Sequence, residues 1–425
     1  MVEPSATFDL FAACPRGLET ALVDELESLG AVDCRALGGG VQFRGDRTVA
    51  YSANLWSRLA SRILRAVARR RYRDDDDLYR LANGTEWERF FDAKRTLRVD
   101  VSAQRSPLRS LNFATLRIKD GIVDRLRTTS GERPSIDTRS PDVRVFAHLD
   151  ARDATLYLDL SGEPLFKRGW RSGADDKGAA PLKENLAAGL LALARWSPEM
   201  PLYDPFCGSG TIVIEAAQRT LDIAAGTARA FGFEKLFDHD AALWKHLRGE
   251  AALRAEAAAQ RTSDGARAVR IAGSDVDRTA IERARRNLVR AGAAADAVAF
   301  SVLDAARVRA PFEEPGLIVT NPPYGERLHA QGGSTGERPH VRDAAARART
   351  RHEEAMRAFG AALKEGFAGW RVYMLSSDPQ LPRQLQMQER RRTPLFNGAI
   401  ECRLFGFEIF PARAARPTPG TPSRQ

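Results

Sequence analysis

Short apolar runs alternate with amphipathic stretches throughout the chain, a pattern typical of strands and helices in succession. In the first 165 residues, strand-like and helix-like pieces alternate. The predicted strands are ATFDLFAA, VQFRG, ILRAVARRRY, TLRVDVSA and the hairpin-like pair VRVFAHLD and ATLYLDLSG, and the predicted helices are LETALVDELESLG, TVAYSANLWSRLA, DDDDLYRLA and LRIKDGIVDRLRTT. This order predicts two small α/β units, at residues 1–60 and 61–165.

The second half of the chain predicts a parallel sheet, since its strands and helices alternate in the βαβ manner. A linker and a leading helix fill residues 166–200, and the predicted domain covers 201–413. Its strands are PLYD, VRIAGSD, VAFSVLD, LIVTN and VYMLSSD, followed by the pair AIECRLF and FEIF. We expect a helical excursion at 222–268, a mobile loop at 329–352 and a disordered tail at 414–425.

Composition limits the classes of protein that this sequence can represent. The chain has 425 residues, 43% of them hydrophobic, but no apolar run approaches a membrane span. The N-terminus lacks the features of a signal peptide, so we expect a cytoplasmic protein with no membrane association. The four cysteines form no CxxC pair, and we expect neither a disulfide framework nor a metal site.

Charge points towards an anionic polymer as partner. The net charge is +10, and basic residues cluster in SRILRAVARRRYR at 61–73 and in KRGWR at 167–171. A solvated strand or helix face is the alternative for each cluster, and Trp170 could pack against RNA or at a domain interface. The candidate RNA contacts are Arg69, Arg70, Arg71, Lys167, Arg168 and Arg171.

The stretch LIVTNPPYGERL at 317–328 contains the first candidate site. LIVT predicts a buried strand, and two consecutive prolines then prevent further pairing and stiffen the turn that follows. Asn321 and Tyr324 are therefore held at the carboxyl end of a strand, where open α/β sheets bind ligands. A simple strand-ending turn is the alternative.

The stretch YDPFCGSGT at 203–211 joins a strand to a helix and contains the second candidate site. Gly208 and Gly210 can form a tight turn that lets a ligand approach the backbone. The loop lacks the third glycine of a dinucleotide fingerprint, where Val213 stands, and a purely structural turn is the alternative. Asp275 and Asp304 end the next two predicted strands, although a single aspartate there is often a helix N-cap.

Taken together, these four strand ends resemble the class I methyltransferases that use S-adenosylmethionine. NPPY resembles the subset that methylates an exocyclic amine of a nucleobase. The resemblance implies a cofactor site, with a ribose contact at Asp275 and an adenine-side contact at Asp304, and a base pocket. The methionine end of the cofactor would be bordered by Asp204, Phe206, Gly208 and Gly210, and the pocket would comprise Asn321, Pro322 and Tyr324. Lys183 and Asn185 would either touch the cofactor or lie on a surface helix.

Motifs along nearly the whole chain, among them CPRGLETALVDELESLGA, LRIKDGIVDRLR, APLKENLAA and TNPPYGERL, look like those of THUMP-bearing 23S ribosomal RNA guanine-N2 methyltransferases. The resemblance implies a ferredoxin-like unit at 1–60, a THUMP RNA-binding domain at 61–165 and a Rossmann-like domain with a mostly parallel seven-stranded sheet. It implies methylation of guanine-2445, with 23S ribosomal RNA or a large-subunit precursor as partner, and we expect a monomer without metal. The resemblance covers one methyltransferase unit, so a fused 7-methylguanine activity is not expected.

Three other functions compete with this one. An adenine-N6 methyltransferase would share the amine chemistry, but the N-terminal architecture argues against it. An NAD-dependent oxidoreductase would share the sheet, but the missing third glycine and NPPY argue against it. A non-catalytic RNA-binding factor would not need the cofactor residues. We also expect a fragment from about residue 170 to 413 to fold without the N-terminal half.

Overall fold

Two seven-stranded sheets form the framework of the protein in the computed structural model, which describes residues 7–171, 182–263, 269–323 and 339–410. The first sheet belongs to the N-terminal half and is antiparallel except for one pair of strands. The second sheet is mostly parallel. The predicted fold class, two α/β units followed by a Rossmann-like domain, is confirmed.

The first sheet runs through both N-terminal units without a break. Its strand order is β2-β3-β1-β4-β7-β6-β5, and β4 joins the two units because it pairs with β1 on one side and β7 on the other. The strands are β1 Phe8–Ala13, β2 Val32–Leu37, β3 Gly40–Gly45, β4 Arg62–Arg71, β5 Leu97–Ala103, β6 Val143–Leu149 and β7 Asp153–Asp159. The helices are α1 Glu19–Ser28, α2 Arg47–Trp56, α3 Asp75–Asn83 and α4 Leu111–Ser130.

The helices of this half begin at local sequence signals. Asp74 caps α3 by accepting a hydrogen bond from the amide of Asp77, and three aspartates fill the first turn, where negative charge is favourable. Ser110 caps α4 in the same way through the amide of Phe113. Strand β2 was not predicted, because most of its residues are exposed and it lacks an apolar face.

The second sheet has the order β10-β9-β8-β11-β12-β14-β13. Strands β10, β9, β8, β11 and β12 are parallel, so their carboxyl ends share one edge. The strands are β8 Leu202–Asp204, β9 Ile271–Asp275, β10 Ala299–Val302, β11 Leu317–Thr320, β12 Arg371–Ser376, β13 Arg391–Asn397 and β14 Ile400–Glu408. The helices are α5 Glu184–Leu193, α6 Thr211–Thr220, α7 Ala241–Ser263, α8 Arg278–Arg290, α9 Pro339–Gly366 and α10 Leu381–Gln384.

Two predictions for this half are wrong. The predicted pair AIECRLF and FEIF is one strand, β14, which continues through Gly406 and pairs with the unpredicted strand β13. The predicted mobile loop at 329–352 is helical from Pro339 onwards, since α9 begins there. Residues 324–338, which include Tyr324, and the predicted tail lie outside the described part of the chain.

The two halves share one hydrophobic core. Gly189 of α5 packs directly on Leu18, because a Cβ atom at position 189 would lie 2.5 Å from the Leu18 side chain. Gly17 has a φ of +93°, and a Cβ atom there would lie 2.6 Å from the carbonyl oxygen of Pro394 in β13. This packing argues against the expectation that residues 170–413 fold alone. No helix in the described ranges is long and apolar enough to cross a membrane.

Candidate active site

A buried hydrogen bond joins the carboxyl ends of the central strands β8 and β11. Asp204 ends β8 and is 2% exposed. Its Oδ1 atom accepts hydrogen bonds from the Thr320 hydroxyl at 2.6 Å and from the Phe206 amide at 3.1 Å. Burial raises the pKa of Asp204 to about 7, and the charge of Asp275 adds to this shift while the two hydrogen bonds oppose it.

The glycine loop that follows Asp204 is cross-linked to the next strand, β9. The Cys207 amide donates to the Ser274 carbonyl at 2.9 Å, and the Gly208 amide donates to Oδ2 of Asp275 at 3.0 Å. Gly208 has a φ of +53°, and a Cβ atom there would meet nothing within 4 Å. Its α-carbon therefore faces open space, and a ligand can approach the backbone at this point.

Gly210 serves a different purpose from Gly208. Its φ is +86°, and a Cβ atom there would lie 3.1 Å from both Ala284 of α8 and Ile214 of α6. Gly210 therefore lets the glycine loop and α6 pack tightly against α8. Helix α6 begins at the next residue, so its N-terminal amides lie beside the loop.

Two buried contacts, made by side chains outside the predicted set, support this loop. The side-chain amide of Asn287, on α8, donates to the Ser209 carbonyl at 3.1 Å. Tyr203 and Ser274 are joined through their hydroxyls at 2.6 Å, which fixes β8 against β9. Thr320, which donates to Asp204, is a further residue that the sequence analysis missed. No local pattern marks Asn287, because an asparagine in the middle of an amphipathic helix is usually solvent-facing.

Asp275 and Asp304 both lie at the sheet edge but differ in exposure. Asp275 is half-buried, and its two oxygens accept from the amides of Gly208 and Asp277, the latter at 3.0 Å. Asp304 is exposed and caps a short 3₁₀ helix through the Ala306 amide at 2.9 Å, as the N-cap alternative predicted. Each carboxylate retains capacity to accept further hydrogen bonds from a ligand hydroxyl or amine.

The start of the NPPY segment lies directly beyond the Asp204 contact. Asn321 is half-buried, Pro322 is buried and Pro323 is exposed. In the glycine loop, the Phe206 ring stands edge-on to the Phe359 ring of α9, with a centroid distance of 5.0 Å. The Thr320 hydroxyl thus brings the polar group at the end of β11 next to the glycine loop that follows β8.

Arg168 does not lie on an RNA-accessible surface, which corrects the sequence expectation. Its side chain is 1% exposed and forms an ion pair with Glu215 of α6 at 3.1 Å. The guanidinium also donates to the carbonyls of Leu165 and Arg58, at 2.9 and 2.7 Å. Arg168 therefore holds the first half of the protein against the helix that carries the glycine loop.

Arg171 also faces inward rather than towards RNA. It donates to the Thr211 hydroxyl at the start of α6 and pairs with Glu184 at 3.3 Å. Trp170 is buried, as the domain-interface alternative predicted. The remaining basic candidates are exposed. Lys167 pairs with Glu163, Arg69 donates to Asp153 at 2.8 Å, and Arg70 and Arg71 extend along the same strand, β4.

The leading helix α5 presents two different residues at its start. Lys183 is exposed, with its ammonium 4.8 Å from the centre of the Phe166 ring. Asn185 is fully buried, so the surface-helix alternative is wrong for it. Its side-chain nitrogen donates to the Ser61 hydroxyl at 3.0 Å and to the Leu59 carbonyl at 3.4 Å. Asn185 thus ties α5 to the loop before β4.

Three sequence families match consecutive parts of the chain. Residues 9–64 match the RlmL ferredoxin-like domain, residues 72–159 match the THUMP domain, and residues 168–337 match the RMKL-like methyltransferase domain. The order of these domains agrees with the order of the units seen in the structure.

Relatives and solved structures extend the likeness over nearly the whole chain. Ribosomal RNA large subunit methyltransferase K/L from Aeromonas salmonicida is 39% identical to this chain, and the match covers 94% of this chain and 54% of the relative. The enzyme of the same name from Methylococcus capsulatus is 41% identical, and the match covers 99% of this chain and 54% of the relative. The chain thus spans about half the length of these relatives. A putative methyltransferase crystallised with SAH has a TM-score of 0.78 at 26% identity, covering 96% of this chain and all of the other. The structure of a predicted N6-adenine-specific DNA methylase from Listeria monocytogenes has a TM-score of 0.78 at 29% identity, and the match covers 95% of this chain and 97% of the other.

Proposed function

The chain belongs to the methyltransferases that carry an RlmL-type ferredoxin-like domain and a THUMP domain before the methyltransferase domain, and on this premise we propose that it methylates 23S ribosomal RNA. The methyl group would come from S-adenosylmethionine and go to the exocyclic N2 amine of a guanine, guanine-2445 in the numbering of the family. The observation that supports the proposal is the Thr320–Asp204 hydrogen bond, which joins the end of β11 to the end of β8, where the glycine loop begins.

The residues of the glycine loop fit S-adenosylmethionine. Gly208 leaves room for a ligand against the backbone, and Asp275 has acceptor capacity for ribose hydroxyls. Asp304, one strand further, would accept from the adenine amine. When bound, the cofactor supplies a methyl group activated by a sulfonium cation. The ionised carboxylate of Asp204 would favour that cation, although burial raises the pKa of Asp204 to about 7.

The end of β11 would supply what a nucleobase amine requires. The lone pair of an aromatic amine is delocalised into the ring, so acceptors on both of its hydrogens are needed to favour the geometry of attack. The side-chain oxygen of Asn321 and the carbonyl of Pro322 would be these acceptors. Tyr324, outside the described residues, would stack on the base after it has flipped out of its helix. The proton released from the amine would pass to solvent.

The N-terminal half would select the RNA. Guanine amines are abundant in ribosomal RNA, so selecting one requires binding surface away from the reacting atom. The THUMP match and the exposed arginines at the end of β4 support this role for the first sheet. The buried pair between Arg168 and Glu215 would hold that surface in a fixed position relative to the glycine loop.

A second candidate is methylation of adenine N6, which the likeness to the predicted N6-adenine-specific methylase favours. The two products differ in mass and retention, so one experiment separates them. Nucleosides from the ribosomal RNA of a strain that lacks this protein are compared with those of its parent by mass spectrometry. Loss of N2-methylguanosine supports the proposal, whereas loss of N6-methyladenosine supports the second candidate.

A further inference from the structure

The basic segment KRGWR at 167–171 was predicted to contact RNA, but most of it lies inside the protein. Arg168 and Trp170 are buried, and the side chain of Arg171 is only 9% exposed. Gly169 has a φ of +95°, and a Cβ atom there would lie 2.5 Å from the carbonyl oxygen of Ala228. The arginines of this segment therefore serve a partner within the protein.

That partner is a stripe of polar residues on helix α6. Thr211, Glu215 and Gln218 lie about one turn apart, so their side chains share one side of the helix. All three are buried, and the residues between them are apolar. Buried polar groups require hydrogen-bond partners, so the stripe demands donors and acceptors from outside the helix.

Arginines from outside the methyltransferase sheet supply these partners. Arg171 donates to the Thr211 hydroxyl. Arg168 donates to Glu215 at 3.1 Å, and Arg58 donates to the other carboxylate oxygen of Glu215 at 3.3 Å. Helix α6 is thus held at its first turn by Arg171 and in its middle by Arg168 and Arg58.

The contact at Thr211 is the one that reaches the glycine loop. Thr211 is the first residue of α6 and follows Gly210 directly. Earlier in the same loop, the Gly208 amide donates to Oδ2 of Asp275 at 3.0 Å. A shift in the first turn of α6 would therefore move the loop that orients the carboxylate of Asp275.

Arg171 is itself fixed in place. Its guanidinium pairs with Glu184 at 3.3 Å and donates to the Leu182 carbonyl at 3.4 Å, both at the start of α5. The guanidinium also lies 4.7 Å from the centre of the Trp170 ring. Because several contacts restrain it, Arg171 offers the Thr211 hydroxyl a charged donor in a defined position. One side chain thus joins the first turns of α5 and α6.

We propose that Arg171 is a positioning residue for the cofactor site. Through the Thr211 hydroxyl, it fixes the glycine loop in the conformation that binds S-adenosylmethionine, without touching the cofactor itself. This inference deepens the proposed function and rests on its placement of the cofactor at the glycine loop. Cofactor affinity then depends on a residue of the segment that connects the THUMP unit to the methyltransferase domain.

The first test removes the acceptor and leaves the pair between Arg171 and Glu184 in place. Thr211→Val keeps the shape of the side chain but lacks the hydroxyl, so the dissociation constant of S-adenosylmethionine should rise about tenfold. Thr211→Ser keeps the hydroxyl and should bind the cofactor almost as the wild type does. Calorimetric titration measures all three proteins.

Thr220→Val is the matched control. Thr220 is the last residue of the same helix, and its hydroxyl is buried without a hydrogen-bond partner. The same substitution there should leave cofactor affinity unchanged. A general loss of packing in α6 would weaken binding in both valine variants, whereas the proposed role of Arg171 predicts a loss in Thr211→Val alone.

The second test is a double-mutant cycle with Arg171→Met. If the two residues act through one contact, the losses in affinity should not add, and Arg171→Met/Thr211→Val should bind about as weakly as Arg171→Met. Methylthioadenosine, which lacks the amino-acid part of the cofactor, is titrated as well. It should lose affinity by a similar factor, because the loop also orients Asp275 beside the expected ribose. A direct contact between Arg171 and the methionine carboxylate would leave the affinity of methylthioadenosine unchanged.

Four results would overturn the inference: an unchanged dissociation constant in Thr211→Val, an equal loss in Thr220→Val, additive losses in the cycle, or an unaffected methylthioadenosine. Asp275→Ala shows whether the proposed cofactor site falls with it. If Asp275→Ala weakens binding and Thr211→Val does not, only the role of Arg171 is wrong. If neither variant weakens binding, the cofactor does not lie at the glycine loop and both proposals are wrong.

Discussion

The Thr320 hydroxyl donates to Oδ1 of Asp204 at 2.6 Å, in a fully buried contact that ties the end of β11 to the end of β8. Replacing Thr320 with valine removes the donor while preserving the shape of the side chain. Because this hydrogen bond lowers the pKa of Asp204, the pKa of that carboxyl should rise further in Thr320→Val. The pH midpoint of cofactor binding should move upward in Thr320→Val and stay near the wild-type value in Thr320→Ser. An equal midpoint in both variants would contradict the role given to the hydroxyl.

Asp204 itself should make cofactor affinity depend on pH. Burial raises the pKa of Asp204 from its ordinary value of 3.8 to about 7, and the ionised form attracts a sulfonium cation. The dissociation constant of S-adenosylmethionine should therefore fall about tenfold between pH 6 and pH 8, as the ionised fraction rises. The affinity of S-adenosylhomocysteine, which has no charge at sulfur, should change less.

Asp204→Asn is the control for this effect, because the amide has nearly the same shape and does not titrate. Its cofactor affinity should be independent of pH over the same range in calorimetric titrations. The same raised pKa lowers the stability of the unliganded protein as pH rises from about 4 to about 7, since the unfolded chain releases its proton first. A pH-dependent affinity that survives in Asp204→Asn would assign the titration to another group.

Asp275 and Asp304 should differ in their contributions to cofactor binding. Asp275 holds the Gly208 amide at 3.0 Å and would also accept from ribose, so Asp275→Ala should weaken cofactor binding about tenfold or more. Asp304 is exposed, and its replacement by alanine should have a smaller effect. Titrations of both folded variants check this order. A larger loss at position 304 would contradict the assignment of the ribose to Asp275.

The adjacent residues Lys167 and Arg168 provide a matched test of the contact between the halves. Arg168 is buried against Glu215, so Arg168→Met should lower the free energy of unfolding by about 3–5 kcal/mol, because it leaves a buried carboxylate with one partner fewer. Lys167 pairs with Glu163 in solvent, so Lys167→Met should change the free energy of unfolding by less than about 1 kcal/mol. Urea unfolding measures both, and equal effects would show that the buried pair does not hold the halves together.

Much of the fold follows from the sequence because the strands of the second sheet are short apolar runs with turn residues at both ends. LIVT and the other short apolar runs of the second half were predicted as strands for this reason. Strand β13, RRTPLFN, was not recognised, since two arginines and Pro394 hide its pairing with β14. AIECRLF and FEIF were predicted as two strands on either side of Gly406. The two form one continuous strand, β14, in which Gly406 packs against Tyr373.

The positions of Asp204 and Asp275 were predictable, because each residue ends a strand. Thr320 and Asn287 were missed because their roles depend on partners 116 and 78 residues away in the chain. The same limit explains Arg168 and Arg171. A basic cluster in the sequence does not distinguish a surface that binds phosphate from arginines that neutralise the buried carboxylates Glu215 and Glu184.

The central claim, transfer of a methyl group to guanine N2, is tested most directly by analysing the product of the purified protein. Unmethylated 23S ribosomal RNA is incubated with S-adenosylmethionine carrying a labelled methyl group, and the nucleosides are separated by mass spectrometry. The wild type should produce labelled N2-methylguanosine. Asn321→Ala should bind the cofactor normally but react about a hundredfold more slowly, because one acceptor of the amine is gone. Label in N6-methyladenosine, or equal rates for the wild type and Asn321→Ala, would contradict the account.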